Sequence, residues 1–239
     1  MKLSKITLAV LAASSFACAA QAAVAVTGTA ALTSDYLFRG ISQSSNGMAV
    51  QGSFTATDDS GIYFTAWGSS ISSEATVKTA SAGTEIDTLL GYTTTKGDLT
   101  YDIGVMRYNY PGADKGGRQS YNEAYASVAF KGAKLGTAFS DDYFNKTGRF
   151  NYVYADYAAP ITEKIGVIAH VGWNKFANNG TNTFLAAGGD AYFDYKAGLT
   201  TSVAGVNLEA AYIGADSVAE KSYTQITKGR AVFTVSKAF

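Results

Sequence analysis

Cysteine, histidine and proline are almost missing from this chain: Cys18, His170, Pro111 and Pro160 are the only ones among 239 residues. One cysteine excludes a disulfide framework and a cysteine-paired metal site. One histidine excludes the H-E-x-x-H zinc motif, and no G-x-S-x-G nucleophile elbow occurs. No metal or cofactor is therefore expected. The glycines do not fall at strand-to-helix junctions with dinucleotide-binding spacing. Charge is scarce too, at 16% Asp, Glu, Lys and Arg, against roughly 25% in soluble domains. No basic stripe invites nucleic acid, and no charge run marks a disordered tail. Beyond the first residues, no apolar run approaches the roughly 20 residues of a membrane-spanning helix.

The N-terminus has the layout of a secretory leader. Lys2 and Lys5 precede the apolar stretch Ile6–Ala13, and small residues lead to Ala20-Gln21-Ala22. This predicts a signal peptide over 1–22, cleaved between Ala22 and Ala23. A lipid anchor on Cys18 is the weaker reading, because Ser15-Phe16-Ala17 lacks an aliphatic residue three positions back. Losing Lys2 and Lys5 leaves 17 basic against 19 acidic residues, a net charge of about −2.

What remains is rich in glycine (25), tyrosine (16) and phenylalanine (13). Low charge without long apolar runs calls for a structure that hides apolar side chains one at a time, and alternation along strands does this. Scarce proline agrees, since proline cannot donate to a strand ladder. Aromatic residues suit strands and, better still, a membrane interface. Period-two patterns mark about twelve strands, at 26–41, 48–56, 62–69, 84–94, 99–108, 120–130, 134–141, 150–158, 165–175, 188–199, 206–213 and 230–239. Around 190–199, Ala191, Phe193, Tyr195, Ala197 and Leu199 oppose Asp190, Tyr192, Asp194 and Lys196. Ile86, Thr88, Leu90 and Tyr92 likewise oppose Glu85, Asp87, Leu89 and Gly91. Alternation alone does not say which face meets water.

The connections separate the alternatives. The odd-numbered ones are mostly long, at 42–47, 70–83, 109–119, 142–149, 176–187 and 214–229. The rest are short and carry turn residues such as Asp58-Asp59-Ser60-Gly61, Lys96-Gly97-Asp98 and Lys131-Gly132-Ala133. Outer-membrane barrels alternate in this way between tight periplasmic turns and longer outer loops. The expectation is an all-β, transmembrane, antiparallel up-and-down β-barrel over 23–239, with both termini periplasmic. Phe239 ends the sequence, with Phe233 and Val235 on its face, like the closing strand read by barrel-assembly machinery. Lys237 departs from the apolar pattern of that face and would snorkel at the membrane edge.

The segment Ser34-Asp35-Tyr36-Leu37-Phe38-Arg39-Gly40-Ile41-Ser42-Gln43, followed by Val50-Gln51-Gly52, resembles the opening signature of the TorF-family porins, the Gcw_chp group. Matching pieces continue at Gly61-Ile62-Tyr63, Trp67-Gly68-Ser69, Glu85-Ile86-Asp87, Gly91-Tyr92, Tyr101 to Gly104, Tyr108 to Gly112, Tyr121-Asn122-Glu123 and Val232 to Phe239. Two departures occur: Asn46-Gly47-Met48 stands where a proline is common, and Ser70-Ile71 replaces Asn-Val. The resemblance implies an outer-membrane barrel more firmly than it implies transport.

If the apolar faces meet lipid, the opposite faces line the interior. That lining would hold the acids Asp35, Glu85, Asp87, Asp102, Glu123, Asp156, Asp190, Asp194 and Glu209, and the bases Arg39 and Lys196, with Arg107 a further candidate. Charges cost about 2–4 kcal/mol for Arg or Lys facing lipid at the midplane, and less for acids. Rings of acids favour cations, so one reading is a channel for small polar or cationic solutes. An equally weighted reading is a core filled with salt bridges. An adhesive scaffold working through the long loops and an outer-membrane lipid hydrolase are further alternatives. The hydrolase is disfavoured because His170 faces the interior beside glycines. The expected partners are outer-membrane lipid, assembly machinery with periplasmic chaperones, and small solutes.

Overall fold

The structure, a computed structural model, describes residues 24–72, 83–113, 119–177 and 184–239. The leader over 1–22, Cys18 and the proposed cleavage point lie outside the described residues, as do the middles of three long loops. The strands in chain order are β1 (Ala25–Thr33), β2 (Leu37–Phe38), β3 (Ile41–Ser42), β4 (Ala49–Thr57), β5 (Ile62–Ser70), β6 (Thr84–Lys96) and β7 (Leu99–Asn109). They continue with β8 (Tyr121–Phe130), β9 (Ala133–Ser140), β10 (Phe150–Pro160), β11 (Ile165–Phe176), β12 (Ala191–Val203), β13 (Val206–Ala215) and β14 (Arg230–Ala238). Among the described residues one short α-helix, α1 (Ser217–Ser222), lies between β13 and β14, capped by the Asp216 carboxylate.

All but β2 and β3 form one closed antiparallel barrel of twelve strands, each paired with its neighbour in sequence. β1 closes the ring against β14, with Leu32 opposite Val235, and Gly28 and Phe239 exchange two backbone hydrogen bonds at 2.8 and 3.0 Å. The short connections are shorter than the sequence pattern indicates. At Lys131-Gly132 and Ala204-Gly205 both residues have positive φ, as the twist-matched two-residue hairpin turn requires. These turns share one end of the barrel with the start of β1 and the end of β14; the long loops share the other.

Alternation resolves into an outside and an inside. Val50, Leu90, Ile103, Val105, Leu135, Val153, Phe193 and Phe233 all project outward and are exposed. Such an apolar girdle suits hydrocarbon, because neighbouring strands are hydrogen-bonded all the way round a closed ring that leaves no free edge. Phe233, Val235 and Lys237 all lie on this outer face.

One strand expectation is corrected. The pattern read as a single strand over 26–41 breaks at Thr33. Residues 34–48 turn inward and carry a small hairpin, β2 and β3, with Leu37 opposite Ser42 and Phe38 opposite Ile41. Its two-residue turn, Arg39-Gly40, has φ of 49° and 76°. Gly40 is required twice over: the φ favours glycine, and a Cβ there would lie 2.5 Å from the Gly214 carbonyl oxygen.

Candidate functional site

The hairpin places Arg39 across the lumen. The segment leaves the wall between β1 and β4, yet its tip grips β8 and β10. β8 is four strands from β4 in one direction and β10 five strands from β1 in the other, so they flank the opposite wall. Arg39 donates to both oxygens of Glu123 on β8, at 2.7 and 2.8 Å. Its guanidinium sits 4.6 Å from the ring centres of Phe38 and Phe150 and 4.3 Å from that of Tyr152. The Tyr108 phenol donates to Glu123 (3.2 Å) and the Tyr192 phenol to the Arg39 carbonyl (3.0 Å). Both charged side chains of the pair are buried. A bidentate Arg–carboxylate pair in this setting fixes geometry as well as charge.

Asp35 anchors the base of the hairpin. It accepts from Ser42 (2.5 Å), Ser44 (2.8 Å) and Arg230 of β14 (3.0 Å). Around the tip, aromatic rings fill the loop end: Tyr108 stacks on Tyr121 at 4.4 Å, Tyr143 on Phe150 at 4.2 Å and Phe176 on Phe184 at 4.5 Å. Burial pushes the Tyr143 phenol up to about 12, so it stays neutral. Many aromatics assigned from composition to the membrane interface are thus packed inside, while Tyr92, Tyr101, Tyr157, Tyr195 and Tyr212 do face outward.

A second cluster lies on β10 to β12. His170 is held between two carboxylates, with Nδ1 2.5 Å from Asp156 and Nε2 2.9 Å from Asp194. Asp194 also accepts from Asn174 (2.7 Å) and Tyr152 (3.2 Å). The hydroxyl nearest His170 is the Tyr152 phenol, at 2.8 Å, and not a serine.

The third group lines β5 to β7. The Glu85 carboxylate accepts from Tyr110 at 3.0 Å, while Asp87 Oδ1 is buried without a hydrogen-bond partner. A cavity of about 170 Å³ opens beside Asp87, walled by Tyr36, Phe38, Trp67, Leu89, Met106 and Tyr108. Toward the turn end the interior is looser. Asp102 accepts from Tyr63 (2.7 Å), and Lys196 pairs with Glu209 at 2.5 Å with both side chains partly exposed.

Two expected positions fall elsewhere. Asp190 lies just before β12, exposed and paired with the outward-turned Lys175. Arg107 shares the outer parity of β7 with Val105 and bonds Asn109 and Asn122 there; Asp102 and Arg107 are an odd number of residues apart and so face opposite ways. Residue typing missed Arg230 and Lys134, both on inward parity. Counting parity along β9 and β14 would have found them.

A model of the family described as "Bacterial protein of unknown function (Gcw_chp)" matches residues 17–239. A search of curated proteins found no significant match. Among solved structures, the chain is similar to the KdgM porin, with TM-score 0.55 at 6% identity, covering 89% of this chain and 99% of that one. It is also similar to the NanC porin in a rhombohedral crystal form, with TM-score 0.53 at 9% identity, covering 90% and 98%. A KdgM porin in complex with disordered oligogalacturonate aligns with TM-score 0.51 at 6% identity, covering 90% and 98%. At these identities the likeness is one of fold.

Proposed function

The chain belongs to the Gcw_chp family, and from that premise we propose that it is an outer-membrane, porin-like channel for small polar or cationic solutes, narrowed by its own hairpin. The observation that carries this reading is the opposition of faces: an apolar girdle outside and a carboxylate-rich wall inside one closed barrel. Glu85, Asp87, Asp102, Asp156, Asp194 and Glu209 line that wall against the inward bases Arg39, Lys134, Lys196 and Arg230. The similar KdgM structure holds oligogalacturonate, a polyanion; an interior with this excess of acids would repel one and favour cations. The proposal includes a cleaved leader over 1–22, termini on the periplasmic side, and an outer face through Phe233, Val235 and Phe239 that engages the assembly machinery. It also includes the narrower kinship with TorF porins through Ser34–Gln43.

A sealed barrel is the second reading, favoured by one observation: the Arg39–Glu123 pair spans the lumen. Planar-bilayer recordings of the native protein and of Arg39→Ala separate the two. The channel reading expects small, cation-selective conductance from the native protein, enlarged in the variant. Anion preference, or silence in the native protein, overturns it. Conductance in the variant alone identifies a sealed barrel.

A further inference from the structure

The cavity beside Asp87 has the make-up of an organic-cation site. We propose that it binds a small tetraalkylammonium-type monocation; the proposal rests on the channel reading and names a solute class for it.

Strand register builds the site. Trp67 of β5 stands directly opposite Asp87 of β6, which stands directly opposite Tyr108 of β7. The three make one row on the inner wall, with Thr65, Leu89 and Met106 the next row down. The hairpin supplies the roof. Tyr36 lies 5.4 Å from Trp67 and Phe38 lies 5.6 Å from Tyr108, ring centre to ring centre, each pair tilted by more than 50°. Four rings therefore surround the opening from two directions, with one carboxylate in their midst.

The chemistry of that lining selects its ligand. Aromatic faces carry negative quadrupoles and attract cations that shed water easily, and cages of this kind recognise quaternary ammonium groups. Asp87 is almost fully buried and its Oδ1 lacks a hydrogen-bond donor. A buried carboxylate oxygen in that state is costly unless a cation or donor meets it. A bare divalent ion is a poor match, since calcium wants six to eight oxygens and the walls are mostly carbon. Size agrees as well: an apolar cavity of about 150 Å³ holds benzene, and this one, at about 170 Å³, has room for one compact methylated ammonium group. Tyr36, Phe38, Trp67 and Met106 keep partial exposure on the inner side, so the cavity communicates with the lumen.

The site contains one of the two tryptophans; the other, Trp173, faces outward on β11. A Trp173→Phe background thus leaves Trp67 as reporter. Titration of the detergent-solubilised barrel with tetramethylammonium chloride should give a saturable fluorescence change that sodium chloride and neutral neopentyl alcohol do not reproduce. Asp87→Asn, which keeps the volume, should weaken binding by roughly tenfold or more, and Phe38→Leu by several-fold, through loss of charge and ring respectively. Heat-modifiable gel migration of each variant verifies the barrel. Equal response to neopentyl alcohol, unchanged affinity in folded Asp87→Asn, or no saturable change overturns the site. Bilayer recordings separate this from the channel reading. Conductance without binding removes the site and leaves the channel; binding without conductance removes the channel and leaves a sealed barrel that holds cations.

Discussion

The two halves of the interior are built differently. At the loop end, Phe150, Asn174, Tyr192, Glu85, Glu123 and Asp194 are all almost fully buried, and Glu123 and Asp194 are each held by several directed hydrogen bonds. At the turn end, Asp102, Lys134, Asp156, Lys196 and Glu209 remain partly exposed, and the ion pairs are single contacts. The difference comes from one hairpin. Residues 34–48 enter only at the loop end and shield most of that half from water, so the same residue types act there as a core and below it as a wetted wall. A buried charge then depends on its partner, while a wetted one falls back on solvent.

That contrast can be broken in graded steps. The largest effect belongs to Arg39→Ala, which strands Glu123 in the dry half. A loss of about 3–5 kcal/mol is expected for a buried pair broken on one side, read as a lower urea midpoint for the shift in gel migration. Next comes Asp194→Ala, which removes the shared acceptor of His170, Tyr152 and Asn174. Leaving buried donors unmet costs about 1–3 kcal/mol, and the same unfolding measurement should show it. The smallest is Lys196→Ala. Its pair with Glu209 is partly solvated, so a loss below about 1 kcal/mol is expected, shrinking further in high salt. Should Lys196→Ala rival Arg39→Ala, the two halves would not differ as drawn.

Most of the wall was legible in the sequence. Eleven of the expected strands fall within a few residues of β4 to β14, because alternation is what a two-faced wall requires of its residues. The first strand overran for the same reason. Tyr36, Phe38 and Gly40 alternate with Asp35, Leu37 and Arg39 as a wall strand would, and period two does not distinguish a strand in the ring from a hairpin inside it. The signal against a continuous strand was Gly40, a glycine inside a strand pattern and between short apolar runs, where it marks a break in the wall. Helix α1 was announced only by Asp216, a capping residue inside a polar loop. The paired partners of the acids were less legible. Which base meets Glu123 depends on how far residues 34–48 reach across the ring, and local sequence carries no such distance. Asp190 and Arg107 went astray for smaller reasons, one a strand boundary and the other a parity count.

The hairpin also bears on the order in which the ring can form. Closing β1 on β14 joins Gly28 to Phe239, nearly the whole length of the described chain, and contacts so distant in sequence are slow to find. Arg39 meets Glu123 at a separation of only 84 residues. A contact from the first strand's end to the middle of the sheet, formed early, would curl the half-built wall before its last strand arrives. The segment that narrows the finished lumen is in that sense also a former on which the barrel is rolled.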